Sequence, residues 1–208
     1  MKCSVVVVTL VLIVAFSACS TEKPAEPASQ QKQQQATPKP PESHTGREVF
    51  QRLYVAARGW APDVKPFRLQ SEPTGEVNGQ NGKAAVWRAS FASPSRRGLK
   101  TYLWSGTGED RGVTPGTEDT YNPNNSATQI FDIAFLKTDS DKAFSVAQEH
   151  GGEKLLKKDP KQPVFYVLEW NGSQNKLIWH VIYGTSRQDA KLAVSVDATI
   201  GQFLRVEK

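Results

Sequence analysis

Apolar positions along the chain fall into three regimes. Residues 5–16 form an almost unbroken apolar run, shorter than the roughly 20 residues a membrane-spanning helix needs. Residues 20–44 hold almost nothing apolar. From residue 45 onward the pattern becomes periodic, first at helical spacing and then in alternation. Thr45 and Glu48 stand three apart, as a capping box requires. Val49, Phe50, Leu53, Tyr54 and Ala57 follow on one helical face, with Gly59 as the predicted stop. A second helix is predicted to open at Ser140-Asp141, to place Ala143, Phe144 and Ala147 on one face, and to end at Gly151-Gly152.

Strand-like segments follow each helix. After the first they are residues 67–72, 84–91, 99–104 and 129–137; after the second, 164–170, 177–183, 191–196 and 202–206. Segments 85–91 and 177–183 also align, each with a tryptophan third (Trp87, Trp179) and an aromatic seventh (Phe91, Tyr183). The repeated order predicts an α+β protein of two tandem units, 45–137 and 138–208. Each would be one helix packed on a small antiparallel sheet of about four strands. Residues 105–128 have no counterpart in the second unit and read as a long insert. Rich in Gly, Thr, Asn and Pro, they are expected to be disordered, because their acidic residues lack calcium-loop spacing.

Residues 140–208 resemble the PepSY-like family of secreted bacterial modules, and 45–137 share less of the pattern. The resemblance is carried by Trp179-His180-Val181 and by the closing stretch 193–203, where a strand ends in Asp197-Ala198 and a Thr199-Ile200-Gly201 turn leads to a last strand. The first unit carries Ser105-Gly106-Thr107-Gly108 where that hairpin would stand. The family resemblance implies binding, regulatory or inhibitory roles in the cell envelope and transfers no catalytic residues.

The start of the chain gives the address. Met1-Lys2, the apolar run and Ser17-Ala18 have the layout of a secretory signal, 1–18. Ending on Cys19, it resembles a bacterial lipobox, with Phe16 where leucine is usual; that resemblance implies a diacylglyceryl group on Cys19. Cys3 would leave with the signal, so no disulfide and no free thiol are expected in the mature protein. Residues 19–44 then read as the lipidated cysteine and a tether whose flexible part would span about 25–30 Å, more with its prolines. Ser20 in place of Asp, by resemblance to Gram-negative sorting, implies the outer membrane facing the periplasm.

Charge adds little. Residues 45–208 carry 22 Lys/Arg against 18 Asp/Glu, too even a balance to suggest nucleic acid, which the compartment also disfavours.

Candidate chemistry is sparse. The three histidines, His44, His150 and His180, stand in no metal-ligand or nucleophile spacing, so no metal, cofactor or catalytic residue is expected. His180 is predicted to tuck against the sheet, and His150 to complement a helix end. Trp87 and Trp179 share faces with apolar neighbours and read as core. Trp104 and Trp170 stand at strand ends and are the candidate partner contacts. Segments 164–170 and 177–183 are apolar on both faces, so Phe165, Val167, Ile178 and Ile182 must meet something beyond a single helix. The first unit is the most economical cover and a protein partner the other. The leading expectation is a non-catalytic envelope lipoprotein that binds or regulates a protein or cell-wall partner. The alternative is a small-ligand or glycan binder using Trp104, Trp170 and the insert.

Overall fold

The Thr45–Glu48 pair forms the reciprocal capping box its spacing predicts, and the helix it opens, α1 (Gly46–Trp60), runs one residue past Gly59. This is seen in a computed structural model that describes residues 39–109 and 111–208. The signal segment, Cys19 and residues 20–38 lie outside the described residues. The last tether residues are held: the Glu42 N–H donates to the Gly106 carbonyl, and β1 (His44–Thr45) pairs with β3 (Lys83–Ala84).

α1 is followed by β2 (Lys65–Ser71), β3, β4 (Val86–Ser93), β5 (Gly98–Ser105) and β6 (Gly112–Thr120). The second half begins with α2 (Ser140–Ala147). A π-turn over Gln148–Gly152, with Gly151 at φ 113°, links it directly to α3 (Glu153–Lys158). Helical geometry is broken at His150 and Gly151, so α2 and α3 are two helices joined by a kink at the predicted stop. Four strands complete the chain: β7 (Val164–Asn171), β8 (Lys176–Tyr183), β9 (Leu192–Asp197) and β10 (Phe203–Val206).

The expectation of two tandem helix-on-sheet units is overturned, because one antiparallel sheet of eight strands runs through both halves in the order β10-β9-β8-β7-β2-β4-β5-β6. The first strand of each half is an edge that the other half satisfies: β2 pairs with β7 through Arg68↔Glu169, Leu69↔Leu168 and Gln70↔Val167. Joining the edges this way removes two rows of unpaired backbone groups.

Two strand assignments change as well. Residues 129–137 alternate like a strand but form irregular backbone around a short 3₁₀ turn, Ile133–Phe135. The place beside β5 is taken by β6, from within the expected disordered insert.

α1 and α2 lie on the same face, over one continuous core. Val49, Phe50 and Leu53 of α1 and Ala143, Phe144 and Ala147 of α2 belong to it, together with Leu69, Trp87, Phe91, Tyr166, Leu168, Trp179 and Tyr183. Trp87 and Trp179 meet edge to face at 6.4 Å in its centre. Each indole N–H donates to the carbonyl two residues before a helix, Trp87 to His44 (3.0 Å) and Trp179 to Thr138 (2.9 Å). The helix starts are also tied to each other. Asp139 accepts from the Thr45 hydroxyl and the Arg47 N–H, and the Ser140 hydroxyl accepts from Gly46 N–H while donating to Gly82.

The second face of β7 and β8 is not covered by the first half, which lies beside it in the same sheet. Part of the cover is the chain's own loop 184–191: Phe165, Val167 and Ile182 cluster with Ala190 of that loop and with Ala193. Ile178, on the same face, is also fully buried.

Candidate functional site

Strand alternation sends Leu168, Trp179 and Leu69 into the core and turns their neighbours Glu169, His180 and Arg68 to the opposite, helix-free face. These polar side chains come from strands far apart in sequence and are gathered only because β2 lies beside β7. The Arg68 guanidinium donates to Glu169 Oε2 at 2.7 Å, and Arg187 of the 184–191 loop donates to Oε1 at 2.7 Å. One carboxylate is thus held between two guanidinia. His180 approaches the oxygen that Arg187 also meets, with Nε2 3.5 Å from Glu169 Oε1.

The other ring nitrogen, Nδ1, is 2.9 Å from Glu207 Oε1. Glu207 also accepts from the Ser195 hydroxyl at 2.6 Å and from Arg205 at 3.4 Å. His180 is 5% exposed, in keeping with a histidine tucked against the sheet. Burial pushes the Glu207 carboxyl up, but the hydrogen bonds from His180 and Ser195 and the nearby cations outweigh it, leaving a pKa of about 2. Glu169 follows the same logic. Its burial is overcome by Arg187, Arg68 and His180, and its carboxyl is held below the ordinary range.

This order of groups bears on chemistry. A nucleophilic triad sets imidazole between hydroxyl and carboxylate. Here a carboxylate sits between the Ser195 hydroxyl and the His180 ring, so the hydroxyl meets an acceptor that is already ionised. The carboxylates are compensated by guanidinium groups, and among the described residues no group of three or more His, Cys, Asp or Glu is arranged to hold a metal ion.

Beside this network, between the sheet and the 184–191 loop, lies a cleft of about 320 Å³. Arg68, Gln70, Phe165 and Val167 line it from the strands, and Arg187 and Gln188 from the loop. The loop is shaped by Asp189, whose carboxylate accepts from the backbone N–H and hydroxyl of both Thr185 and Ser186. Arg68 Nε is buried without a hydrogen-bond partner among the described residues.

The two tryptophans singled out from sequence are not brought together. Trp104 is 3% exposed, edge-on to His44 and under Arg52 at 5.8 Å, so its ring is core rather than platform. Trp170 is half-buried beside the exposed Phe135, with ring centroids 5.3 Å apart. Because β7 runs antiparallel to β5, the two rings sit at opposite ends of the sheet. The insert that was to join them supplies edge strand β6 instead. His150 lies in the π-turn and stacks on Phe203.

Sequence reasoning placed His180 but missed Arg68, Glu169, Arg187 and Glu207. The available signal was a charged or imidazole side chain inside strands otherwise apolar on both faces, namely Glu169 in β7 and His180 in β8. No protein family, curated protein or solved structure matches the chain.

Proposed function

We propose that this chain is a non-catalytic lipoprotein of the bacterial envelope, anchored through Cys19 in the outer membrane, that uses the helix-free face of its sheet to bind a protein or cell-wall partner. The observation that carries this reading is the inequality of the two sheet faces. The helices pack on one face, over the main core. On the other face the β7–β9 half is partly covered by loop 184–191, whereas the β4–β5 half stays open, with Arg88 exposed and Ser90, Thr101 and Leu103 half-buried. A surface of this polarity stays soluble when free and offers donors and acceptors when covered, as the fringe of a regulated interface does. The PepSY-like resemblance of residues 140–208 supports a binding or regulatory role. The Pro-rich tether supports one exercised a short distance from the membrane.

The test is capture from native envelope by the tethered protein, compared between wild type and a double variant, Arg88→Glu with Thr101→Glu. Capture by wild type that is lost in the variant, with melting unchanged, is the expected result. Equal capture by both moves the partner site off this face.

A further inference from the structure

We infer that the cleft between loop 184–191 and the sheet binds the free carboxylate of a small ligand bearing an apolar group, clamped between Arg68 and Arg187. Four observations converge on it. The cleft, about 320 Å³, is within the size range of small-ligand sites. Its lining joins an apolar part, Phe165, Val167 and Pro73, to two amides, Gln70 and Gln188, the mixture that orients a ligand with one polar end.

The charged residues of the lining are Arg68 and Arg187, with Glu72. Glu207 is matched by Arg205 and Glu72 by Arg88, at 3.4 and 2.5 Å. Asp189 is turned onto Thr185 and Ser186 of its own loop. Arg68 and Arg187 both face the carboxylate of Glu169, so two guanidinia share one carboxylate at the cleft wall.

Each of these guanidinia gives only one nitrogen to Glu169, and their side chains are 41% and 45% exposed. The fork that suits a second carboxylate is therefore reachable from the cleft. Two arginines from separate elements, already aimed at one carboxylate, are also preorganised for another, which lowers the ordering cost of binding. This cleft meets the open β4–β5 surface through the Glu72–Arg88 ion pair, whereas Arg187 belongs to the loop, so the Arg187→Gln variant tests the cleft by itself.

The experiment is calorimetry on the purified full-length protein with three probes: N-acetyl-leucine, its amide N-acetyl-leucinamide, and inorganic phosphate. Saturable binding of N-acetyl-leucine is expected, with the amide weaker by about tenfold or more, as loss of a charge-assisted hydrogen bond implies. Phosphate, lacking the apolar group, should also be weaker. Arg187→Gln lies on an exposed loop and should weaken N-acetyl-leucine by a similar factor while melting like wild type. Val167→Asp, in the cleft floor, should abolish binding even if it folds less stably, so Arg187→Gln is the deciding variant. Equal binding of acid and amide, phosphate binding as well as N-acetyl-leucine, no saturable binding of any probe, or full retention in Arg187→Gln would each overturn the inference.

Discussion

The same substitution at two positions of α1 should change stability in opposite directions. Gly46 is buried at the first turn of the helix, over the central tryptophan pair. A Cβ placed there would lie 2.7 Å from Trp179 Cη2 and 3.0 Å from Trp87 Cη2. Neither ring has an easy way out, because both are fully buried and both indole N–H groups are fixed on backbone carbonyls. Overpacking of this kind costs roughly 1–3 kcal/mol, against a helix-propensity gain of at most about 1 kcal/mol for Ala over Gly. Gly59, at the exposed end of the same helix, has nothing within 4 Å of the same added atom. There only the propensity term and the smaller unfolded-state entropy remain, and both favour Ala.

Gly46→Ala should therefore lower the melting temperature by about 3–8 °C, and Gly59→Ala should raise it by about 1–4 °C, at the 2–4 °C per kcal/mol usual for a domain of this size. Thermal unfolding followed by far-UV circular dichroism reads both, and tryptophan fluorescence adds a local signal, since the buried pair should report on Gly46→Ala alone. If Gly46→Ala melts at or above wild type, the two rings do not rest on the start of α1 and the common core has been drawn wrongly.

Tyr166→Phe should cost about 1–3 kcal/mol in urea denaturation, because the buried hydroxyl donates to Gly79 O at 2.6 Å and accepts from Gly82 N at 3.1 Å; an unchanged midpoint would remove the loop 79–82 from the core. The acid limb of stability should depend on Glu207. Its folded carboxyl, at about 2 against an ordinary 4.5, contributes stability that is present above pH 4.5 and lost as pH falls toward 2, at most about 3 kcal/mol. Glu207→Gln should flatten that limb, and an identical pH slope in the variant would count against the His180–Glu207–Ser195 arrangement. Cys19→Ala should release the protein from membranes or leave it unprocessed, because the acyl chains supply the anchoring energy. An unchanged membrane fraction with normal signal cleavage would refute lipidation.

What the sequence made legible was local, and what it hid was non-local. The capping box at Thr45 and Glu48, the helical faces and the core role of Trp87 and Trp179 each depend on residues within a few positions of one another, and all appear in the structure. The union of the two halves depends on β2 finding β7. A strand edge carries no mark of which of several exposed edges will satisfy it, so the eight strands were divided into two sheets. β6 was hidden for a different reason. As an edge strand it is exposed along nearly its whole length, so Thr114, Pro115, Gly116, Thr117, Glu118 and Asp119 show no apolar alternation. Residues 129–137 erred the other way: Phe131, Ile133 and Phe135 alternate in sequence like a strand, yet Ile133 and Phe135 are exposed and the place beside β5 is already taken by β6.

The polar cluster follows from the same distinction between local and non-local information. Arg68 and Glu169 are 101 residues apart and meet only through the β2–β7 register. Arg187 reaches Glu169 only because the 184–191 loop folds over Phe165 and Val167. The apolar second face of β7 and β8 was read correctly as needing a cover, and the loop that supplies part of it hides its apolar contribution in one small residue, Ala190. The same loop builds the cleft wall, so the need to bury Phe165 and Val167 and the placing of Arg187 opposite Arg68 have one structural cause. A ligand seated there would rest against a loop that Asp189 shapes from within and Ala190 fastens to the sheet.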